Sequence, residues 1–263
     1  MRIAIAQTAV EQHRFAENLE HAREFAGRAA EGGAELVVFP EMFLSGFHYG
    51  ENKKALLAGA DFVWEVRSLA RGLGIAVAGS VPALDPGMDR PANRMLLASP
   101  AGEVWGSYDK LHLFGVFNEN RHVHPGRSIE VADAPFAKTG LAVCYDLRFP
   151  EMFVKMALRG AELIILSAAW PHPRMEHIRL LARARALECQ CFFIFSNQAG
   201  VETFGPNAMH YGGCSAAVDP WGKALCECAA DAEDLKFCDI DFGLVEKARR
   251  QIPALGDRRP DVY

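Results

Sequence analysis

Residues 2–39 read RIAIAQTAVEQHRFAENLEHAREFAGRAAEGGAELVVF, and the periods of their apolar residues decide the fold class. Arg2 to Ala6 alternates as a strand. Phe15, Leu19, Ala22, Ala26 and Ala29 then recur at helical spacing. Gly32-Gly33 stops that helix, and Leu36-Val37-Val38-Phe39 follows as a buried strand. This is a β-α-β unit, the signature of an α/β protein.

The pattern continues outward from it. A helix carrying Phe62, Val66 and Leu69 ends at Gly72 and Gly74, and Ile75 to Val81 is the next strand. Pro82 to Pro91, with three prolines and Gly87, reads as a hairpin connection to the strand Asn93 to Ala98. Glu103 to Tyr108 is a further strand, whereas Leu113 to Arg127 holds neither period and reads as a long structured loop. The second half repeats the theme. Strand Leu141 to Val143, helix Met152 to Arg159, strand Leu163 to Leu166, helix Arg174 to Glu188 and strand Phe192 to Phe195 come in turn. Cys214 to Val218, Ala224 to Cys228 and Leu235 to Ile240 read as antiparallel strands, the first two joined by Asp219-Pro220-Trp221-Gly222. A mixed sheet and a layered α/β architecture are expected, in one domain over residues 1–263.

Composition narrows the function. Lys plus Arg number 28 against 33 for Asp plus Glu, and the net charge of −5 carries no basic cluster, which speaks against a nucleic-acid partner. No window reaches the ~18 consecutive apolar residues needed to cross a bilayer, and the first residues lack a cleavable leader, so a soluble, cytoplasmic protein is expected. Seven cysteines, an odd count, then read as thiols rather than as a disulfide framework. The pairs Cys189/Cys191 and Cys226/Cys228 are C-x-C, not the knuckles of a zinc site.

Three residues at strand ends carry chemistry. Cys144 follows Gly140-Leu-Ala-Val and precedes Tyr145-Asp-Leu-Arg-Phe-Pro150-Glu151, a strand-to-helix turn whose free N–H groups favour a thiolate and can receive an oxyanion. Its bland alternative is a buried small apolar residue. Glu41 ends the buried strand that leads through Pro40, where clefts of open α/β sheets form, and an apolar surround there makes a carboxylate a general base. Alone it reads as a helix or turn cap at the start of Met42-Phe43-Leu44-Ser45-Gly46. Lys110 enters the apolar stretch Leu111-His112-Leu113-Phe114, either snorkelling to solvent or serving as a fixed cation. Together they supply nucleophile, base and electrostatic stabiliser for acyl transfer. His112, His122 and His124 lie close in sequence, but no element aims them at one point, so they read as loop residues and not as metal ligands.

Phe39-Pro40-Glu41, Tyr108-Asp109-Lys110-Leu111-His112-Leu113-Phe114 and Cys144-Tyr145-Asp146-Leu147-Arg148-Phe149-Pro150-Glu151 resemble, in order, the three signature segments of the nitrilase superfamily, the carbon–nitrogen hydrolases. The resemblance runs from the first strand to the tail Arg258-Arg259-Pro260-Asp261-Val262-Tyr263. It implies a four-layer αββα sandwich, a Glu41-Lys110-Cys144 catalytic set, no cofactor, and a homodimer or larger assembly across which the tail reaches. It also implies that Glu119, ahead of Pro125-Gly126, is a second catalytic glutamate, against the alternative of a solvated loop carboxylate. Cys-Tyr-Asp-Leu-Arg-Phe-Pro-Glu, Ser167-Ala-Ala-Trp170-Pro171 and the helix Ala182 to Glu188 resemble the ω-amidase and Nit-type branch. Amides are therefore expected rather than nitriles. Tyr145 contributes an oxyanion N–H in this reading, Trp170 lines the substrate pocket, and Arg148 forks a substrate carboxylate or else pairs structurally with Glu151 or Asp146. The expected substrate is an ω-amide of a 2-oxo dicarboxylic acid, cleaved through a thioester. The alternatives are a deaminated-glutathione amidase of the same branch and, in a different class, a non-catalytic scaffold whose thiols sense redox state or store metal.

Overall fold

The computed structural model describes residues 1–204 and 207–262. The chain opens as β1 (Arg2–Gln7), α1 (Phe15–Glu31), β2 (Leu36–Val38), α2 (Tyr49–Leu57), α3 (Phe62–Leu73), β3 (Ala76–Ala83), β4 (Ala92–Ala98), β5 (Val104–Asp109) and the single turn α4 (Glu119–His122). It continues as β6 (Glu130–Ala134), β7 (Ala137–Val143), α5 (Pro150–Leu158), β8 (Leu163–Ala168), α6 (Met175–Cys189) and β9 (Phe192–Asn197). Last come β10 (Ala199–Phe204), β11 (Asn207–Gly212), β12 (Ala216–Val218), β13 (Ala224–Glu227), β14 (Asp234–Asp239) and α7 (Gly243–Gln251).

Two six-stranded sheets result, ordered β14-β1-β2-β3-β4-β5 and β13-β12-β9-β8-β7-β6. Each has a parallel centre, β1-β2-β3 in one and β7-β8-β9 in the other, with antiparallel strands outside. The strand period sorts the side chains. Ile3, Ile5, Leu36 and Val38 point between the sheets and meet Leu141, Val143 and Ile165 in one core. Ala4, Ala6 and Val37 point the other way, onto Phe25 and Ala26 of α1 and Val66 and Leu69 of α3. On the far side α5 and α6 contribute Phe153, Met156, Ile178 and Ala182. The molecule is the αββα sandwich that the resemblance implies. Local signals fix the helix ends: Asp61 caps α3 by accepting from Trp64 N at 2.9 Å, Gly74 ends it at φ +66°, and Pro150 sits in the first turn of α5.

Some elements depart from the sequence reading. Leu113 to Arg127 is not wholly irregular, since it holds a 3₁₀ turn at Gly115–Phe117 and the turn α4. β14 does not join β12 and β13 but crosses to pair antiparallel with β1, tying the second half of the chain to the first sheet. The strands β6, β10 and β11 and the helices α2 and α7 carry no expectation from the periods. Among the described residues no helix is long and apolar enough to cross a membrane. Tyr263, the end of the expected tail contact, lies outside the described residues.

Candidate active site

Glu41, Lys110, Cys144 and Glu119 come from four segments that the two sheets bring to one place. Glu41 follows β2, and its N–H donates to Ala168 O of the facing sheet at 3.2 Å. Lys110 follows β5; its N–H is held by Asn93 O at 3.0 Å and its carbonyl by Gly126 N at 2.9 Å. Gly126 is required here, because a β-carbon would overlap the Asp109 carbonyl. Arg94 bonds Asp109 through both Nε (2.7 Å) and Nη2 (3.0 Å), fixing the strand end from its other side.

The side chains form a closed network. Lys110 Nζ donates to Glu41 Oε1 at 2.8 Å and to both Glu119 oxygens at 3.0 and 2.9 Å. All three are at most 2 % exposed. Glu119 is therefore not a solvated loop carboxylate, and Lys110 does not snorkel. Phe114 N also donates to Glu119, at 2.6 Å. Asn93 joins the two glutamates, donating to Glu41 Oε1 at 2.8 Å and to Glu119 Oε1 at 3.3 Å. Sequence reasoning missed Asn93, since a lone Asn in a strand carries no local signature.

Three residues at this site hold left-handed backbone: Cys144 itself (φ +48°), Met42 directly after Glu41 (φ +52°) and Asn118 directly before Glu119 (φ +56°). Each such non-glycine residue costs about 1–3 kcal/mol and persists only where its surroundings enforce it. Around Met42 the enforcement is Ser80 Oγ, which accepts from Met42 N at 3.0 Å. Around Cys144 it is Asp146, fully buried. Its carboxylate accepts from Val143 N (2.9 Å), Tyr108 Oη (2.8 Å) and His112 N (3.1 Å), and its Oδ1 lies 2.8 Å from His112 Nδ1. Trp170 Nε1 donates to Cys144 O at 3.3 Å.

Electrostatics separate the roles. Burial raises Glu41 above the usual carboxylate range, more strongly than Lys110 lowers it. Burial acts to discharge Lys110 as well, but the carboxylates of Glu41 and Glu119 outweigh it and hold the ammonium charged. The Cys144 thiol is pushed up by burial and by the Glu41 carboxylate within hydrogen-bonding reach, although the Ala169 N–H points at it. Desolvation and the neighbouring carboxylate thus outweigh Lys110 and the local N–H groups, which favour the thiolate, so the thiol calls for a base, the role expected of Glu41.

A cavity of about 1140 Å³ opens above the thiol, lined by Glu41, Lys110, Glu119 and Cys144 and also by Tyr49, Phe47, Tyr145, Arg148, Trp170 and Tyr211. Arg148 stacks over the Trp170 ring at 4.6 Å, and its Nη2 lies 3.3 Å from His177 Nδ1. Among the described residues no carboxylate lies within 4.0 Å of it, so the pairing with Glu151 or Asp146 is not made; Asp146 is engaged by Tyr108 and His112. The three histidines diverge: His112 stacks on Phe149, His122 stacks on Tyr49 at the cavity, and His124 lines a separate hollow beside Asp109. Among the described residues no group of three His, Cys, Asp or Glu side chains is placed to hold a metal ion.

Comparison with known proteins agrees with this geometry. The family profile described as Carbon-nitrogen hydrolase matches residues 2–250. The chain is 31% identical to omega-amidase NIT2 of Danio rerio over 272 residues, covering all of this chain and 96% of that protein. It is 31% identical to the 2-oxoglutaramate amidase of Bacillus subtilis over 249 residues, 94% of this chain and 93% of that one. A mutant amidase from Nesterenkonia sp. AN1, solved after Michael addition of acrylamide at its active-site cysteine, superposes with a TM-score of 0.86 at 29% identity, over all of this chain and 98% of that chain.

Proposed function

Because the chain belongs to the carbon-nitrogen hydrolase family and is a hydrolase of amide C–N bonds, we propose that it releases ammonia from a small carboxylate-bearing amide through a thioester on Cys144. The observation that carries this reading is Glu41, a buried carboxylate that accepts from Lys110 at 2.8 Å and also reaches the Cys144 thiol. In this reading Glu41, raised by burial, takes the thiol proton as sulfur attacks the carbonyl. Lys110 keeps its proton and, with the Tyr145 N–H, holds the oxyanion. Glu41 returns the proton to the leaving nitrogen, then deprotonates the water that hydrolyses the thioester. Glu119 holds Lys110 through both of its oxygens.

The substrate is proposed as an ω-amide of a 2-oxo dicarboxylic acid, supported by the relatives' names and by Arg148, a cavity cation without a carboxylate partner among the described residues. A charge-assisted fork contributes roughly 1.5–3 kcal/mol, so Arg148→Met is expected to lower kcat/KM for the acidic amide by about one to two powers of ten. Neutral amides of the same length should change little; equal loss of both would leave Arg148 a structural residue. Following ammonia from ω-amides of 2-oxo acids, deaminated glutathione, free glutamine and a nitrile tests the assignment. Fastest turnover of the nitrile would overturn it.

One domain spanning the chain and assembly into a homodimer or larger, with the tail 257–263 reaching across, belong to the same proposal. Light scattering should report at least a dimer. A monomer at working concentration would contradict it.

A further inference from the structure

Glu202 on β10 is buried at 2 % exposure, outside the Glu41-Lys110-Glu119 network. Its Oε2 accepts from Tyr211 Oη of β11 at 2.7 Å, and the Phe47 N–H lies near enough to favour its ionised form. Tyr211 and Phe47 both line the cavity above Cys144, with ring centroids 6.5 Å apart. One carboxyl group thus joins a hairpin from the second half of the chain to the segment that follows Glu41. Its other oxygen, Oε1, has no hydrogen-bond partner, and neither has Gln12 Nε2. Gly46 leaves room for both, since a β-carbon there would stand 2.6 Å from Oε1 and 2.8 Å from Gln12 Nε2.

We propose that Glu202 is a positioning residue for substrate selection, holding Tyr211 and Phe47 as one wall of the cavity. This rests on the reading of that cavity as the amide site. The wall depends on a carboxyl group whose ionisation is opposed by its burial. Burial pushes Glu202 up to about 8, which the Tyr211 hydroxyl and the Phe47 N–H only partly offset. The titratable groups that face it are Tyr211 and, further off, Glu41; beyond Gln12 lie His48, whose N–H donates to Gln12 Oε1, and His13, edge-to-face with it. Ionisation would leave a buried charge on the unpartnered Oε1 and add negative charge on the Glu41 side of the cavity, a cost that the strengthened Tyr211 bond only partly offsets, so the closed wall loses stability as pH rises through the folded value.

The test compares Glu202→Ala, Glu202→Gln and Tyr211→Phe with the wild type on an ω-amide of a short dicarboxylic acid and on a neutral amide of equal length, from pH 6 to 9.5. Wild-type kcat/KM should fall about tenfold between pH 7 and 9, as the protonated fraction of such a group does. Glu202→Gln, which cannot ionise, should flatten that fall and recover most of the activity that Glu202→Ala loses through KM. Tyr211→Phe removes a donor to the carboxylate and should move the fall to higher pH. The inference is overturned if Glu202→Gln keeps the wild-type pH profile, or if Glu202→Ala matches wild-type KM on both amides. A wild type that releases ammonia from no amide would overturn the amide-site reading and this inference with it.

Discussion

Cys144→Ala is expected to reduce ammonia release to the assay background while the thermal melt stays close to that of the wild type. The sulfur is the one nucleophile within reach of Glu41 in the described site, and alanine leaves no atom to form the acyl bond. The fold should survive, because the turn is held by groups other than the thiol: Asp146 bonds Val143 N and Trp170 Nε1 bonds the Cys144 carbonyl. Cys144→Ser should be nearly as inactive, since a hydroxyl is a poorer nucleophile than a thiol and sits in the same desolvated place. The other six cysteines do not line the cavity and should be replaceable without loss of turnover. Retained amidase activity in Cys144→Ala would exclude the covalent route.

Lys110→Ala and Glu41→Gln should each lower kcat by ~10²–10⁴-fold, the usual contribution of one oxyanion donor or one positioned base. The two changes differ in their structural cost. Glu41→Gln keeps an oxygen to accept from Lys110 and Asn93, so the melt should hardly move. Lys110→Ala strands two carboxylates in a dry site, and breaking a buried ion network of this kind costs about 3–5 kcal/mol of stability. Activity should therefore be measured well below the lowered melting temperature. Glu119→Gln removes one of the two charges that keep Lys110 protonated and should also lower kcat/KM. A wild-type value would make Glu119 a structural partner only.

The central strands were legible because burial on both faces writes itself into sequence as apolar runs such as Leu36-Val-Val-Phe, set between Gly32-Gly33 and Pro40. β10 and β11 were not, since Val201-Glu202-Thr203 and Ala208-Met209-His210 pack as a two-stranded hairpin with much of its surface exposed. α2, Tyr49–Leu57, lacks a helical stripe and buries only Asn52 among its residues. At the site, Cys144, Glu41 and Lys110 could each be read from a strand end, but singly each had a structural alternative, and only the set of three pointed to acyl transfer. The burial of Glu119 could not be read locally: it depends on Lys110, Asn93 and Phe114 N arriving from elsewhere. The N–H groups beside Cys144 could be read from the turn, but the depth of its burial, which raises the thiol, depends on segments packed from elsewhere in the chain.

The covalent intermediate is tested most directly by letting hydroxylamine compete with water during turnover of a carboxylate-bearing amide and measuring ammonia, acid and hydroxamate together. A thioester on Cys144 predicts hydroxamate that grows with hydroxylamine at the expense of the acid, in the wild type and not in Cys144→Ala. Ammonia released at the full rate with only the acid as co-product would contradict the account.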